Sequence, residues 1–269
     1  MSIIYERISI VVSLSLIGLA IYSVLTFPVD TAEIILFNTP LGLDSPQQWL
    51  MVLLLGALVI AGTDTTIRAH PQLASQRLGY VFTFCTLPTL LMLLATQLLP
   101  LAPNALSWAI SLILVGLLLW FTIITEFHQV PLEQNYAYQW YRPWQQFIGY
   151  SLILIFYILI YQTRIRSALS ASSVAMISMM VTVTLVRQPP IQIGKTWLYA
   201  GIIGLSLGQI TWVLNYWRAT ALEAGLFLFL VYYVLLGLAQ QQLLGQLSRR
   251  LLWEFVAIVM VVLFLIFRL

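Results

Sequence analysis

The stretch TWLYAGIIGLSLGQITWVLNYW, residues 196–217, decides the fold together with ATALEAGLFLFLVYYVLLGLAQ, residues 219–240, which follows it after Arg218 alone. Each stretch is long enough to meet the requirement of about 20 mostly apolar residues for a bilayer-crossing helix. A charge at the bilayer centre costs at least about 2.5–3.5 kcal/mol, and the charged residues here, Arg218 and Glu223, lie where the stretches meet. The pair therefore predicts two membrane-spanning helices joined by a tight turn.

The same apolar character extends through all 269 residues, of which 61% are hydrophobic and 8% are charged. An ordinary soluble domain has about 25% charged residues, so the composition excludes a soluble globular protein. The apolar runs are continuous and do not alternate with polar residues, which favours helices over the strands of a membrane barrel. We predict an all-α polytopic transmembrane bundle that forms one integral membrane domain over residues 1–269.

Scanning the chain for spans of this length predicts nine transmembrane helices. They lie near 8–27, 46–66, 79–101, 104–126, 145–163, 167–187, 196–217, 219–240 and 250–268. Ser and Thr dilute the apolar residues of 167–187, so the count becomes eight if that segment lies flat or re-enters. The connections, of which 28–45 is among the longest, leave no room for a soluble domain.

The basic residues predict the orientation, because cytoplasmic loops carry an excess of Lys and Arg. With the N-terminus inside and nine spans, the inner side holds Arg7, Arg68, Arg77, Arg142, Arg187, Lys195, Arg249 and Arg250, and the outer side holds Arg164, Arg166, Arg218 and Arg268. This distribution favours an inner N-terminus. Orientation alone accounts for the formal charge of +3, so the charge indicates no nucleic-acid partner.

Three span boundaries carry capping patterns. Ser45 and Gln48 match the N-cap and third helical position of the second span, and Thr220 and Glu223 match a capping box at the start of the eighth. Asn104 follows Pro103 as an N-cap for the fourth span. We therefore interpret Glu223 as a helix-capping carboxylate that faces the positive end of the helix dipole.

Small residues mark a packing seam in the seventh span. Ala200, Gly204, Gly208 and Asn215 lie on one helix face, and the step from Gly204 to Gly208 lets two helix backbones approach closely. An amide on a packed face usually bonds to a neighbouring helix. The seam predicts that Asn215 makes such a bond.

The remaining polar residues near span ends suggest a cluster at the inner side. It would combine Asp64, Arg68, Glu126, His128, Arg187 and Arg249. One interpretation is that these are ion pairs and anchors at helix ends, since Asp64 and Arg68 are four residues apart on one helix face. The alternative is a site that holds a lipid headgroup or relays protons.

Residues 128–144, next to this cluster, are dense in Tyr and Trp. This density predicts a segment in the membrane interface, a docking surface for a subunit, or a lid over a lipid or quinone pocket.

The sequence contains no catalytic, metal or cofactor signature. It lacks a Ser nucleophile elbow, paired zinc-binding histidines and a glycine-rich nucleotide loop. The two histidines, His70 and His128, both fall outside the predicted spans, so bis-histidine haem ligation within the bilayer is not expected. Cys85 is the single cysteine, which excludes an intrachain disulfide. We assign no catalytic, cofactor-binding or metal-binding residue.

Four short motifs resemble a bacterial family of unknown function. They are GTDTTIRAHP (62–71), WFTIITEF (120–127), GQITWVLNYW (208–217) and GQLSRRLLWEF (245–255). The family consists of polytopic membrane proteins found mainly in green non-sulfur bacteria, and the resemblance covers about residues 48–269. It implies a bacterial plasma-membrane setting and no activity.

Three classes of function remain open from the sequence. The first is a non-catalytic accessory or assembly subunit of a larger membrane complex, whose partners are membrane lipids and other membrane subunits. The second is a transporter or a lipid- or quinone-handling protein. The third is a membrane enzyme that acts on lipid-linked substrates through Asp64, Glu126 or His128 near the inner leaflet.

Overall fold

A computed structural model shows a helical protein. The structure describes residues 2–25, 31–36, 39–44, 46–70, 78–129, 136–163, 167–187, 193–217 and 219–245, together with Trp253, Ala257 and Met260.

Eight helices make up most of the described part of the chain. They are α1 (Ser2–Val24), α2 (Pro46–Arg68), α3 (Leu78–Leu98), α4 (Ala105–His128), α5 (Tyr136–Gln162), α6 (Ser167–Val186), α7 (Ile193–Leu214) and α8 (Ala221–Leu243). All eight are long and apolar enough to cross a membrane. A helix closes its backbone hydrogen bonds within one segment, which a chain surrounded by lipid requires. The prediction of a polytopic helix bundle is confirmed.

The sixth and ninth predicted spans have different outcomes. The segment 167–187 was expected either to span the membrane or to lie flat or re-enter. It forms the continuous helix α6 (Ser167–Val186), which is long enough to span. The ninth predicted span, 250–268, lies outside the described residues except for Trp253, Ala257 and Met260, which are helical and exposed.

A β-hairpin lies in the connection between α1 and α2. Strands β1 (Thr31–Leu36) and β2 (Thr39–Asp44) pair antiparallel, with Thr31 opposite Asp44 and Leu36 opposite Thr39. This register leaves two residues for the turn, a common hairpin connection. The sequence analysis did not predict this hairpin.

The largest shift in a helix boundary concerns α5. It begins at Tyr136 rather than near 145 and continues through Pro143. The second half of the aromatic segment 128–144 is therefore the beginning of a span helix, because Tyr and Trp do not interrupt a helix. Residues 130–135 lie outside the described residues, and the interfacial position of the segment stays a prediction.

The described contacts divide the chain into two compact units, Met1–Arg142 and Pro143–Leu269. In the first unit α3 is the central helix. Of the 18-residue apolar stretch in each helix, 78% is buried in α3, against 28% in α1, 39% in α2 and 33% in α4. Helices α1 and α2 run antiparallel, since Gly18 lies against Leu55 and Gly62 lies against Val11. Helices α2 and α3 also run antiparallel, with Gly56 against Thr89 and Ile60 against Cys85, and the His70 ring after α2 contacts Phe127 near the end of α4. The ends of α2 and α4 and the start of α3 consequently lie together, at the end that the sequence predicts to be inner.

The second unit is organised around α6 and α7. The backbones of these helices approach closely, with Gly204 and Gly208 of α7 against Ala175 and Ala171 of α6. Helix α8 packs on α6 and α7, and Gly225 of α8 lies against Ile158 of α5.

Candidate functional site

The predicted ion pair at the end of α2 is present. Arg68 Nε donates to both carboxylate oxygens of Asp64, at 3.0 Å to Oδ1 and 2.9 Å to Oδ2. The side chains are 28% and 31% exposed, so the pair lies at a wet helix end, where ion pairs add little stability. Arg68 Nη2 is buried and has no partner among the described residues.

Glu126 and His128 lie at the end of α4, in the same unit as Asp64 and Arg68. Glu126 is fully buried, with 0% of its surface exposed. His128 Nδ1 lies 2.9 Å from the carbonyl oxygen of Ile124 and donates to it in the tautomer that carries the proton there. The imidazole is thus used in part by its own helix.

Both histidines of the chain contact Phe127. The Phe127 ring lies edge-on to His70, at 5.6 Å between ring centroids, and edge-on to His128, at 5.8 Å. His128 in turn stacks on Tyr141 of α5 at 4.9 Å. We call His70, Phe127, His128 and Tyr141 the aromatic ladder. Partial burial lowers the pKa of His70.

Buried threonines surround this end of the first unit. Six are at most 2% exposed: Thr63 and Thr66 on α2, Thr83 and Thr86 on α3, and Thr122 and Thr125 on α4. Five of the six hydroxyls donate to a carbonyl three or four residues earlier in their own helix. Thr63 Oγ1 is buried without a partner among the described residues. The five paired hydroxyls are therefore satisfied within their own helices.

The other two members of the predicted cluster are not joined to it by the structure. Arg187 follows α6 in the second unit and is 8% exposed. Arg249 lies outside the described residues. The six-residue cluster as a whole therefore stays a prediction, and only Asp64, Arg68, Glu126 and His128 share one unit.

Metal ligands do not gather in the described part of the chain. No group of three His, Cys, Asp or Glu side chains there is placed to hold a metal ion. Cys85 is buried, and its Sγ lies 3.7 Å from the carbonyl oxygens of Ile60 and Val81.

The predicted packing seam of α7 lies directly on α6. Ala200 is fully buried, and a Cβ atom placed on Gly204 would lie 2.6 Å from the carbonyl oxygen of Ala175. On Gly208 it would lie 3.0 Å from the carbonyl oxygen of Ala171. At the end of the seam, Asn215 Nδ2 donates to Ser170 Oγ of α6 at 2.8 Å. The predicted amide bond to a neighbouring helix is present.

Sequence reasoning missed a buried hydroxyl network in the second unit. The Tyr157 hydroxyl of α5 lies 2.6 Å from Ser178 Oγ of α6, and Thr182 Oγ1 lies 3.4 Å from the Tyr232 hydroxyl of α8. Both tyrosines are fully buried. Their position inside apolar runs made them look like ordinary span residues, and only the tertiary packing of three helices reveals the network.

The capping patterns are resolved to different degrees. At α8, Glu223 N–H donates to Thr220 Oγ1 at 3.3 Å and Thr220 N–H donates to Glu223 Oε2 at 3.0 Å, so the predicted capping box is present. At α4, Asn104 is the N-cap and its N–H donates to Ser107 Oγ at 3.1 Å. Ser45 lies outside the described residues, while Gln48 Nε2 donates to the Tyr22 hydroxyl of α1 at 2.9 Å.

A family model described as "Protein of unknown function (DUF5656)" covers residues 27–269. No curated protein and no solved structure matches the chain.

Proposed function

The chain belongs to the DUF5656 family of proteins of unknown function, and on that premise we propose that it is a non-catalytic accessory or assembly subunit of a larger membrane complex. Its partners are other membrane subunits and the surrounding lipids. Its setting is the bacterial plasma membrane, which the resemblance of the four sequence motifs supports.

This proposal is supported mainly by one observation: most buried polar groups at the predicted inner end already have partners within the protein. Five of six buried threonine hydroxyls donate within their own helices, and Asp64 is paired with Arg68. Glu126 is fully buried. An active site would need such groups to converge on one point where a reacting atom can lie. Polar groups engaged in this way support a structural role within a complex.

Native electrophoresis after gentle solubilisation tests the subunit proposal. Membranes would be solubilised in a mild detergent, and the full chain would be followed by a C-terminal tag. We expect migration in an assembly that contains other membrane proteins in fixed stoichiometry. Migration as the chain alone, in every mild detergent and in native nanodiscs, would overturn the proposal.

A second candidate function, binding of an anionic lipid headgroup, is favoured by Arg68. Its Nη2 is buried beside an ion pair and has no partner among the described residues, and a guanidinium binds phosphate through paired N–H groups. The aromatic ladder at the same end contributes rings of the kind that settle at the headgroup level.

Lipid retention measured by native mass spectrometry tests this second candidate. The double variant Asp64→Asn/Arg68→Gln removes the guanidinium without leaving a lone carboxylate. We expect it to retain phosphatidylglycerol about tenfold less than the natural chain, since bonds to charged groups contribute about 1.5–3 kcal/mol. Arg7→Gln, on an exposed position of α1, is the matched control. Equal retention by both variants would contradict the assignment.

A further inference from the structure

Beside its contact with α6, α7 carries an exposed apolar stripe that continues into the turn after the helix. It consists of Leu198, Ile202, Leu205, Gln209, Trp212 and Tyr216, all exposed. Their spacing of four, three, four, three and four residues is the heptad repeat with which membrane helices pack at small crossing angles. Any lipid-facing helix has an apolar stripe, so apolar residues alone do not indicate a protein partner. Gln209, the polar member of this stripe, does.

Gln209 is an exposed amide in a membrane-spanning helix. It lies five positions before Leu214, the last residue of α7, which corresponds to about 8 Å along the helix axis. The structure shows no hydrogen bond for its side chain among the described residues. Acyl chains cannot accept or donate a hydrogen bond, and an unpaired amide in an apolar medium costs several kcal/mol. Asn215, by contrast, has Ser170 as a partner.

A groove beside Gln209 makes room for a partner helix. It has a volume of about 490 Å³ and runs between α6 and α7. Ala171, Ala175 and Gly208 form part of its wall, and Leu205, Gln209 and Trp212 line it from α7. The groove exists because the α6 side chains on this face are small. Close approach of another helix needs such a surface.

We propose that this surface binds α7 of a second copy of the same chain, across a two-fold axis perpendicular to the membrane. An amide carries both a donor and an acceptor, so two Gln209 side chains that meet at the axis satisfy each other. The two-fold axis also places Leu205 and Trp212 of each copy toward the groove of the other. The inference does not rest on the proposed accessory role, since the dimer forms whether or not other subunits bind.

The occupant is a second copy rather than a lipid because the amide requires a hydrogen-bonding partner inside the apolar layer. An acyl chain would fill the groove and leave Gln209 unpaired. A different membrane protein would need its own amide at the matching depth, whereas the identical chain supplies one by symmetry. Capture of another protein in place of a copy is one outcome of the test and would contradict the proposal.

Dilution of the purified full chain in detergent micelles measures the strength of the dimer. We expect Gln209→Leu to raise the dissociation constant about five- to thirtyfold, because polar bonds between membrane helices contribute about 1–2 kcal/mol in model helices. Gln209→Asn keeps an amide and should stay near the natural value. Gln97 is an exposed glutamine at the end of α3, and Gln97→Leu is the matched control. It should leave the dissociation constant unchanged.

Disulfide cross-linking in native membranes tests the geometry without depending on the size of that effect. In a Cys85→Ser background, Leu205→Cys should cross-link two copies. Met176→Cys on α6 should not, although Met176 is 62% exposed and Leu205 is 68% exposed.

Four outcomes would overturn the proposal. They are a purified chain that stays monomeric at high protein-to-detergent ratio, a dimer that is indifferent to Gln209→Leu, cross-linking at Met176 but not at Leu205, and a Gln209-dependent complex that contains a different protein. Each is distinguishable from failure of the accessory role, which concerns partners present only in the native membrane.

Discussion

The two units of this protein hold their helices together in different ways. In the first unit α3 is surrounded by side chains, and the buried threonines near its start donate to their own helices. In the second unit α6 and α7 meet backbone to backbone at Gly204 and Gly208. Hydrogen bonds there join different helices: Asn215 to Ser170, Tyr157 to Ser178, Tyr161 to the carbonyl of Leu214, and Gln240 to the carbonyl of Leu185.

The difference shows that a polar residue in a span has no fixed meaning. A threonine hydroxyl satisfied three or four residues back in its own helix adds nothing to the contact between helices. An amide or phenol that reaches the next helix does add to it, by about 0.6 kcal/mol on average in membrane proteins. The first unit also has bonds between helices, Gln48 to Tyr22 and Trp108 to Ser23, but its buried threonines add none to them. In the second unit, cross-helix bonds accompany the close backbone contact of α6 and α7.

The sharpest test of this contrast is Gly204→Val, for which we expect the largest effect. The new Cβ would lie 2.6 Å from the carbonyl oxygen of Ala175, so α6 and α7 would have to move apart. We expect a loss of about 3 kcal/mol, the upper end of the cost of overpacking. The measurement is the midpoint of detergent-induced unfolding followed by circular dichroism.

Gly201→Val on the same helix is the matched control, because a Cβ at Gly201 meets nothing within 4 Å. It shares the change in helix propensity and lacks the clash. If the two variants unfold at the same midpoint, the close contact between α6 and α7 is not what stabilises the second unit.

A smaller effect is expected at the end of the same seam. Asn215→Leu and Ser170→Ala each remove one side of the 2.8 Å bond between α7 and α6. In a double-mutant cycle we expect a coupling energy of about 0.6 kcal/mol, and at most about 1.7 kcal/mol. Additive single variants would show that Asn215 acts alone, and the functional interpretation of that amide would then become the stronger one.

The sequence predicted the parts of this fold that depend on local rules. Apolar length placed all eight described helices, because a lipid-exposed backbone must close its hydrogen bonds within a helix. The spacing of Gly204 and Gly208 predicted the seam, and Thr220 with Glu223 predicted the capping box. In each of these cases the residues that interact are within one turn of each other, or the spacing alone defines the face.

What the sequence could not predict depends on how helices are rotated against each other. Nothing local identifies Ser170 as the partner of Asn215, since the two are 45 residues apart. The same holds for the aromatic ladder, in which His70 and His128 meet Phe127 from different segments. The density of aromatic residues in 128–144 also did not reveal that residues 136–144 belong to the helix α5.

The threonines of the first unit test the other side of the comparison. Thr122 Oγ1 donates to the carbonyl oxygen of Leu118 at 2.6 Å, and that carbonyl also belongs to the backbone ladder of α4. We expect Thr122→Val to change the free energy of unfolding by less than about 0.5 kcal/mol, because no bond to another helix is lost. A loss as large as that of Asn215→Leu would show that the hydroxyls of the first unit contribute between helices, and the comparison would fail.

The smallest expected effect is a pH dependence from His70, in the turn after α2 and against Phe127. Burial lowers the pKa of His70 below its usual value of 6.5, so in mildly acidic solution the unfolded chain binds a proton more readily than the folded one. Stability should therefore be fully present above pH 6.5 and fall slightly as the pH drops through the lowered pKa. His70→Phe keeps an aromatic ring against Phe127 and cannot be protonated, so its unfolding midpoint should lack this fall. A rise in stability on acidification that disappears in His70→Phe would mean that an anionic partner holds the imidazolium, which would support the headgroup site at this end.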